Sequence, residues 1–110
     1  MSDIHASVSL KRGLSPKVSL ERVALVQAID ELGSITAAAR RLGLSYKGAW
    51  DIVQALNNLF ETPLIEAAPG GKAGGAAVVT PRGREVAAAF HRVQAEIDAA
   101  LVKLEAGLSG

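Results

Sequence analysis

Residues 4–10 alternate in polarity, with Ile4, Ala6, Val8 and Leu10 apolar and His5, Ser7 and Ser9 polar. A period of two predicts a half-buried strand, which Lys11-Arg12-Gly13 and Ser15-Pro16-Lys17 are expected to break. After Ser19 the period becomes that of helices. Ser19 is placed to cap a first helix, whose apolar face holds Leu25, Ala28, Ile29 and Leu32 and which Gly33 stops. Ser34 is placed to cap a short second helix, Ile35 to Leu42, stopped by Gly43. Leu44 is expected to point back into the core. Ser45 then caps a third helix from Tyr46 to about Glu61, before Pro63. Ala49, Ile52, Val53, Leu56, Leu59 and Phe60 follow helical spacing on one side, while Lys47, Asp51, Gln54 and Asn58 fall on the other.

Two short strands follow, over 64–67 and 76–80. The run Ala68-Pro69-Gly70-Gly71-Lys72-Ala73-Gly74-Gly75 between them predicts a hairpin with a mobile tip. Thr80-Pro81 suits the start of a last helix, with Thr as cap and Pro in the first turn. Val86, Phe90, Val93, Ile97, Leu101, Leu104 and Leu108 recur along that helix at spacings of four and three, a seam close to heptad period. The predicted fold class is mostly α with a small β hairpin, in a single domain over residues 1–110. It is read as a winged helix-turn-helix: the helix-turn-helix over 34–61, the wing over 64–80 and a long C-terminal dimerisation helix over 81–106.

Composition narrows the function classes. Apolar residues make up 49% and charged residues 21% of the 110, a globular balance rather than a disordered one. With aromatics at only 4%, the core must be built from Ala, Val, Leu and Ile, which favours helices. The absence of cysteine excludes a disulfide framework, Cys-ligated zinc and a thiol nucleophile. No apolar run approaches the ~20 residues of a membrane span. The N-terminal run lacks the basic-then-apolar plan of a signal peptide, so the expected location is the cytoplasm.

Candidate chemistry centres on residues 33–51. Two helices joined by a short turn containing Gly43 form a helix-turn-helix plan. The front of the third helix offers free amides, the positive end of the helix dipole and Lys47, all suited to a phosphate. Ser45, Tyr46 and Gln54 can reach base edges or backbone, and Thr36 joins them as a DNA-contact candidate. In the wing, glycines let main-chain amides approach phosphates closely, with Lys72 at the tip. Net charge is only +1, so the argument rests on charge placement. Arg40, Arg41 and Lys47 have only Asp51 against them, and Lys72, Arg82 and Arg84 cluster around the wing and the helix after it, with Arg82 a further DNA-contact candidate, while Glu96, Asp98 and Glu105 lie on the last helix. Trp50, at the flank of the third helix, has two readings, a partly buried core residue or a side chain that packs against the DNA backbone.

Other chemistries fit less well. A phosphate-binding P-loop needs Gly five residues before its Gly-Lys and Ser or Thr after the Lys, where this chain has Glu66 and Ala73. His5 and His91 are far apart with no carboxylate at ligand spacing, so no metal site or cofactor is expected. No catalytic triad or paired-carboxylate arrangement is visible, and no enzyme is expected. A last helix of about 25 residues would be near 37 Å long, more than one small domain needs. A homodimer through Val86, Phe90, Val93, Ile97, Leu101 and Leu104 is expected.

The motifs Gly33-Ser34-Ile35, Gly-Leu-Ser-Tyr-Lys-Gly-Ala-Trp-Asp at 43–51 and Gly-Gly-Lys-Ala-Gly-Gly at 70–75 resemble, in combination, the N-terminal DNA-binding domain of the molybdate-responsive ModE-type transcription regulators. The resemblance extends across nearly the whole chain and, more loosely, to LysR-type winged helices. It implies a dimer that binds double-stranded DNA. Ser45, Tyr46, Lys47 and Gln54 would recognise the major groove, and Gly71, Lys72 and Gly74 would touch the flanking backbone. Family members continue into a β-rich molybdate-binding region that this chain does not contain, so direct molybdate binding is not expected of it. The competing readings are a winged-helix protein-interaction module and a small molybdate- or oxyanion-binding protein.

Overall fold

The computed structural model describes residues 5–12, 15–69 and 75–109. The order is β1 (Ser9–Arg12), β2 (Ser15–Ser19), α1 (Leu20–Leu32), α2 (Ile35–Leu42), α3 (Tyr46–Leu59), β3 (Ile65–Ala67), β4 (Ala77–Val79) and α4 (Pro81–Ser109). Each of the first three helices starts where a serine hydroxyl accepts a free amide. Ser19 takes the N–H of Arg22 at 3.3 Å, Ser34 that of Ala37 at 3.1 Å and Ser45 that of Gly48 at 2.9 Å. Such a cap contributes about 1 kcal/mol. Gly33 and Gly43 end α1 and α2 with φ of +66° and +69°, the left-handed region where a Cβ is unfavourable.

Helix α1 runs through the middle of the core. Leu25 and Ile29 are fully buried against Ile35 of α2, Leu56 of α3, Leu64 and the N-terminal Val18. The wing pairs β3 with β4 antiparallel, Ile65 opposite Val79 and Ala67 opposite Ala77. A bridge between Ser34 and Ala76 extends this sheet. Main-chain bonds from Ile35 N–H to the Gly75 carbonyl (2.8 Å) and from Ala77 N–H to the Gly33 carbonyl (3.1 Å) fix β4 to the α1–α2 turn. The wing base is thus bolted to the helix-turn-helix. Residues 70–74, including Gly71, Lys72 and Gly74, lie outside the described residues.

Thr80 joins wing to α4. Its hydroxyl donates to the Pro63 carbonyl at 2.8 Å and accepts the N–H of Gly83 at 3.0 Å, so one side chain caps the helix and ties it to the segment that leads into β3. Gly83 sits so close to the wing that a Cβ there would lie 2.4 Å from the Leu64 carbonyl oxygen.

The N-terminal expectation needs correction. Residues 5–8 are not in a strand, and Ile4 lies outside the described residues. Lys11 and Arg12 belong to β1, and the Ser15-Pro16-Lys17 run expected to break the strand is part of its partner strand. The register shifts between Leu10 and Lys11, where Lys17 is left without a partner between Val18 and Pro16. Pro16, which has no N–H to donate, is the next paired residue after that irregularity, and the fully buried Val18 on its other side anchors β2 in the core. Residues 6–8 are held by a side chain instead. Gln94 accepts the Val8 N–H at 2.9 Å and donates to the Ala6 carbonyl at 2.8 Å.

Two helix ends also move. α3 stops at Leu59, two residues early, because Phe60 turns extended (φ −113°, ψ 156°) and sends the chain back toward β3. α4 continues to Ser109. At 1.5 Å per residue its length is about 43 Å. The radius of gyration is 16.1 Å, against about 13 Å for a compact chain of this size. α4 runs on past the core: among the described residues its last buried one is Gln94, and beyond it Val102 and Leu104 are 67% and 57% exposed.

Candidate nucleic-acid interface

The front of α3 stands clear of the rest of the chain. Ser45, Tyr46, Lys47, Asp51, Gln54 and Asn58 are all exposed, while Ala49, Val53 and Leu56 on the opposite side are buried. This division follows from the 3.6-residue period of the apolar positions. Tyr46 is 54% exposed and meets Trp50 edge-on at 6.1 Å between ring centres. Trp50 is half-buried against the core, in line with the first of its two readings, and its buried Nε1 has no hydrogen-bond partner among the described residues.

Thr36, in the first turn of α2, is half-buried beside the wing root. Gly75 there has φ +78°, and a Cβ on it would come 2.7 Å from Thr36 Oγ1. Thr36 and the wing base therefore lie together, tied by the Gly33–Ala77 and Ile35–Gly75 bonds, while the wing meets α3 at Asn57 in its last turn. Arg82 stands apart. Its guanidinium lies 5.9 Å over the ring of Phe60, at the other end of α3, and it pairs with Glu85 at 3.3 Å. Fourteen helical residues separate Phe60 from Ser45, about 21 Å along the axis. Nearness to the wing in sequence does not place Arg82 near the front of α3.

The surface is less cationic than the residue order suggests. Arg41 pairs with Glu31, Lys47 with Asp51 at 3.0 Å, and Arg84 with Asp30 at 2.9 Å. The acids at the end of α1 thus oppose two arginines, which the linear reading did not foresee. These pairs are exposed, worth little each, and can exchange a carboxylate for a phosphate. The Asp30 carboxylate, by hydrogen bond and then by charge, raises the pKa of Arg84 above its ordinary value, so this arginine stays charged. Exposed Arg40 has no carboxylate partner among the described residues.

The residues expected to join two copies split into two groups. Phe90 is 3% exposed and turned into its own core, with Val86 half-buried beside it. Val93 and Leu104 are exposed, and Ile97 and Leu101 are half-buried along the part of α4 that leaves the domain. A groove of about 430 Å³, lined chiefly by Val8, Phe60, Val86, Ala89, Phe90 and Val93, opens on the same seam.

Sequence reasoning missed Asn57, whose amide ties α3 to β3, and Gln94, which holds the N-terminal segment. The signal for each was a carboxamide set in or beside an apolar helical stripe. No group of three or more metal-ligating side chains occurs among the described residues, and no described helix is long and apolar enough to cross a membrane.

A capped, outward-facing helix, a glycine turn before it and a hairpin anchored beside it define a winged helix-turn-helix. The chain belongs to the family of bacterial regulatory helix-turn-helix proteins of the lysR type, whose pattern matches residues 20–84. It is 50% identical over 104 residues to the molybdenum-pterin-binding protein MopA of Rhodobacter capsulatus, covering 94% of this chain and 39% of that protein. It is 53% identical over 93 residues to MopB of the same organism, covering 84% and 34%. It is 45% identical over 85 residues to the DNA-binding transcriptional dual regulator ModE of Escherichia coli, covering 76% and 32%. The chain therefore spans well under half the length of these relatives.

Proposed function

We propose that this chain is a DNA-binding transcription regulator of molybdenum-related genes that acts as a homodimer. The carrying observation is the uncovered face of α3, from its Ser45 cap to Gln54, on a helix whose last turn is bonded at Asn57 to a wing that the α1–α2 turn also holds. Ser45, Tyr46, Lys47 and Gln54 enter the major groove. Thr36 and the wing, with Gly71, Lys72 and Gly74, hold the flanking backbone. The link to molybdenum follows from the names of the relatives MopA, MopB and ModE. No catalytic step is assigned to the chain, and it works in the cytoplasm, where its DNA lies.

Dimerisation follows from α4. Val93, Ile97, Leu101 and Leu104 form an apolar seam on a helix that leaves its own domain. A twin copy covers that seam and sets two α3 helices on half-sites about one or more turns of DNA apart. Of the residues expected at this interface, Phe90 acts from beneath, as the floor of the groove rather than its surface.

The test is a gel shift with duplex DNA of random sequence at low salt, together with sizing of the chain with and without duplex. The reading predicts a shifted band that salt weakens and a dimer in both states. No binding at micromolar protein favours the interaction-module reading.

A further inference from the structure

We propose that Asn57 is the positioning residue that holds the wing at a fixed distance from the groove-facing side of α3. The inference rests on the DNA-binding reading and extends it to a residue with no DNA contact of its own. Asn57 lies in the last turn of α3, half-buried at the border of its apolar face. Its Oδ1 accepts the N–H of Leu64 at 2.9 Å and that of Ile65 at 3.1 Å, while its Nδ2 donates to the Ile65 carbonyl at 2.8 Å. Both main-chain groups of Ile65 thus meet a helix side chain as they would meet a neighbouring strand, and the free edge of β3 is closed. On the other side of the wing, β4 is tied to Gly33 and Ile35. One strand is fixed to the turn before α2, the other to the recognition helix itself.

Only a carboxamide of this length does this. Aspartate keeps the acceptor but sets a second oxygen against the Ile65 carbonyl. Alanine leaves all three main-chain groups without their partner. Asparagine is also a weak helix former, so α3 itself gives no reason for it. A duplex fixes the distance between its groove and its flanking phosphates. A wing already held at that distance engages both without an ordering cost at the moment of binding.

Fluorescence anisotropy against random-sequence duplex over a range of salt compares wild type, Asn57→Ala and Asn57→Asp, with Gln94→Ala as control. Gln94 is another well-satisfied carboxamide, bonded to Val8, Ala6 and Asp98, but about 21 Å along α4 from Thr80. Losing the wing's phosphate contact lowers the slope of log K against log salt by about one and weakens binding about eightfold near 0.1 M salt. Both Asn57 variants are expected to show this, and Gln94→Ala to lower Tm yet keep the wild-type slope. Partial unfolding scales affinity alike at every salt, so the slope separates positioning from stability. If Asn57→Ala does not fold, Asn57→Asp carries the comparison. Wild-type slopes in the folded Asn57 variants overturn the proposal and leave the DNA-binding reading standing. A wild-type chain that binds no duplex at any salt overturns both.

Discussion

Gly83→Ala gives a sharp test of how α4 meets the wing. In an open helix, replacing Gly by Ala stabilises by up to about 1 kcal/mol. At Gly83 the new Cβ would stand 2.4 Å from the Leu64 carbonyl oxygen and 2.7 Å from Val79 Cγ1. The oxygen is main chain and cannot swing aside. It also accepts the Thr80 N–H at 2.9 Å and the Thr80 hydroxyl at 3.2 Å. Relieving the clash means moving α4 off the strand and stretching both bonds. Overpacking of this kind costs about 1–3 kcal/mol, and each weakened hydrogen bond adds about 0.5–1.5 kcal/mol. Set against the propensity gain, the net loss is about 2–4 kcal/mol, or a Tm lower by roughly 10 °C or more. Gly107→Ala is the matched control, since a Cβ there meets nothing within 4 Å. It should leave Tm unchanged or raise it slightly. Thermal unfolding of all three proteins at one concentration reads the result. A Gly83→Ala protein as stable as wild type would refute the close-approach argument.

Lys47→Ala should lower the salt slope of duplex binding by about one, even though Lys47 pairs with Asp51 in the free protein; an unchanged slope removes Lys47 from phosphate contact. Gln54→Ala should narrow the gap between preferred and random duplex, whereas equal losses on both would remove it from base readout. Leu104→Glu places a charge on the exposed seam of α4. Losing about 1.5–3 kcal/mol of burial in each copy raises the dimer Kd roughly a hundredfold or more, measurable by sedimentation, and an undisturbed dimer would place the interface elsewhere.

The helical part of the fold was legible because its signals are local. Ser19, Ser34 and Ser45 cap the helices they precede, and Gly33 and Gly43 end theirs. The outward face of α3 followed from periodicity alone. The N-terminal hairpin was not legible, because Pro16 reads as a breaker, whereas in a two-stranded sheet with an irregularity next to it at Lys17 it pairs with Lys11. What holds that region is non-local: Val18 in the core, and Gln94 reaching back to residues 6–8. The charge pattern failed for the same reason. Glu31 and Asp30 are distant in sequence from the arginines they meet, and only the fold brings them together. Arg82 lies at the start of the helix after the wing, where its number puts it, but its contact with Phe60 could not be read from the sequence.

The central claim is that the exposed front of α3 meets a duplex, and amide chemical-shift mapping during a titration with duplex DNA tests it most directly. The account predicts that the largest changes fall on residues 45–54, on Thr36 and on Gly75, with the buried side of α3 little affected. Changes confined to α4, or a spectrum that duplex DNA leaves unaltered, would contradict it.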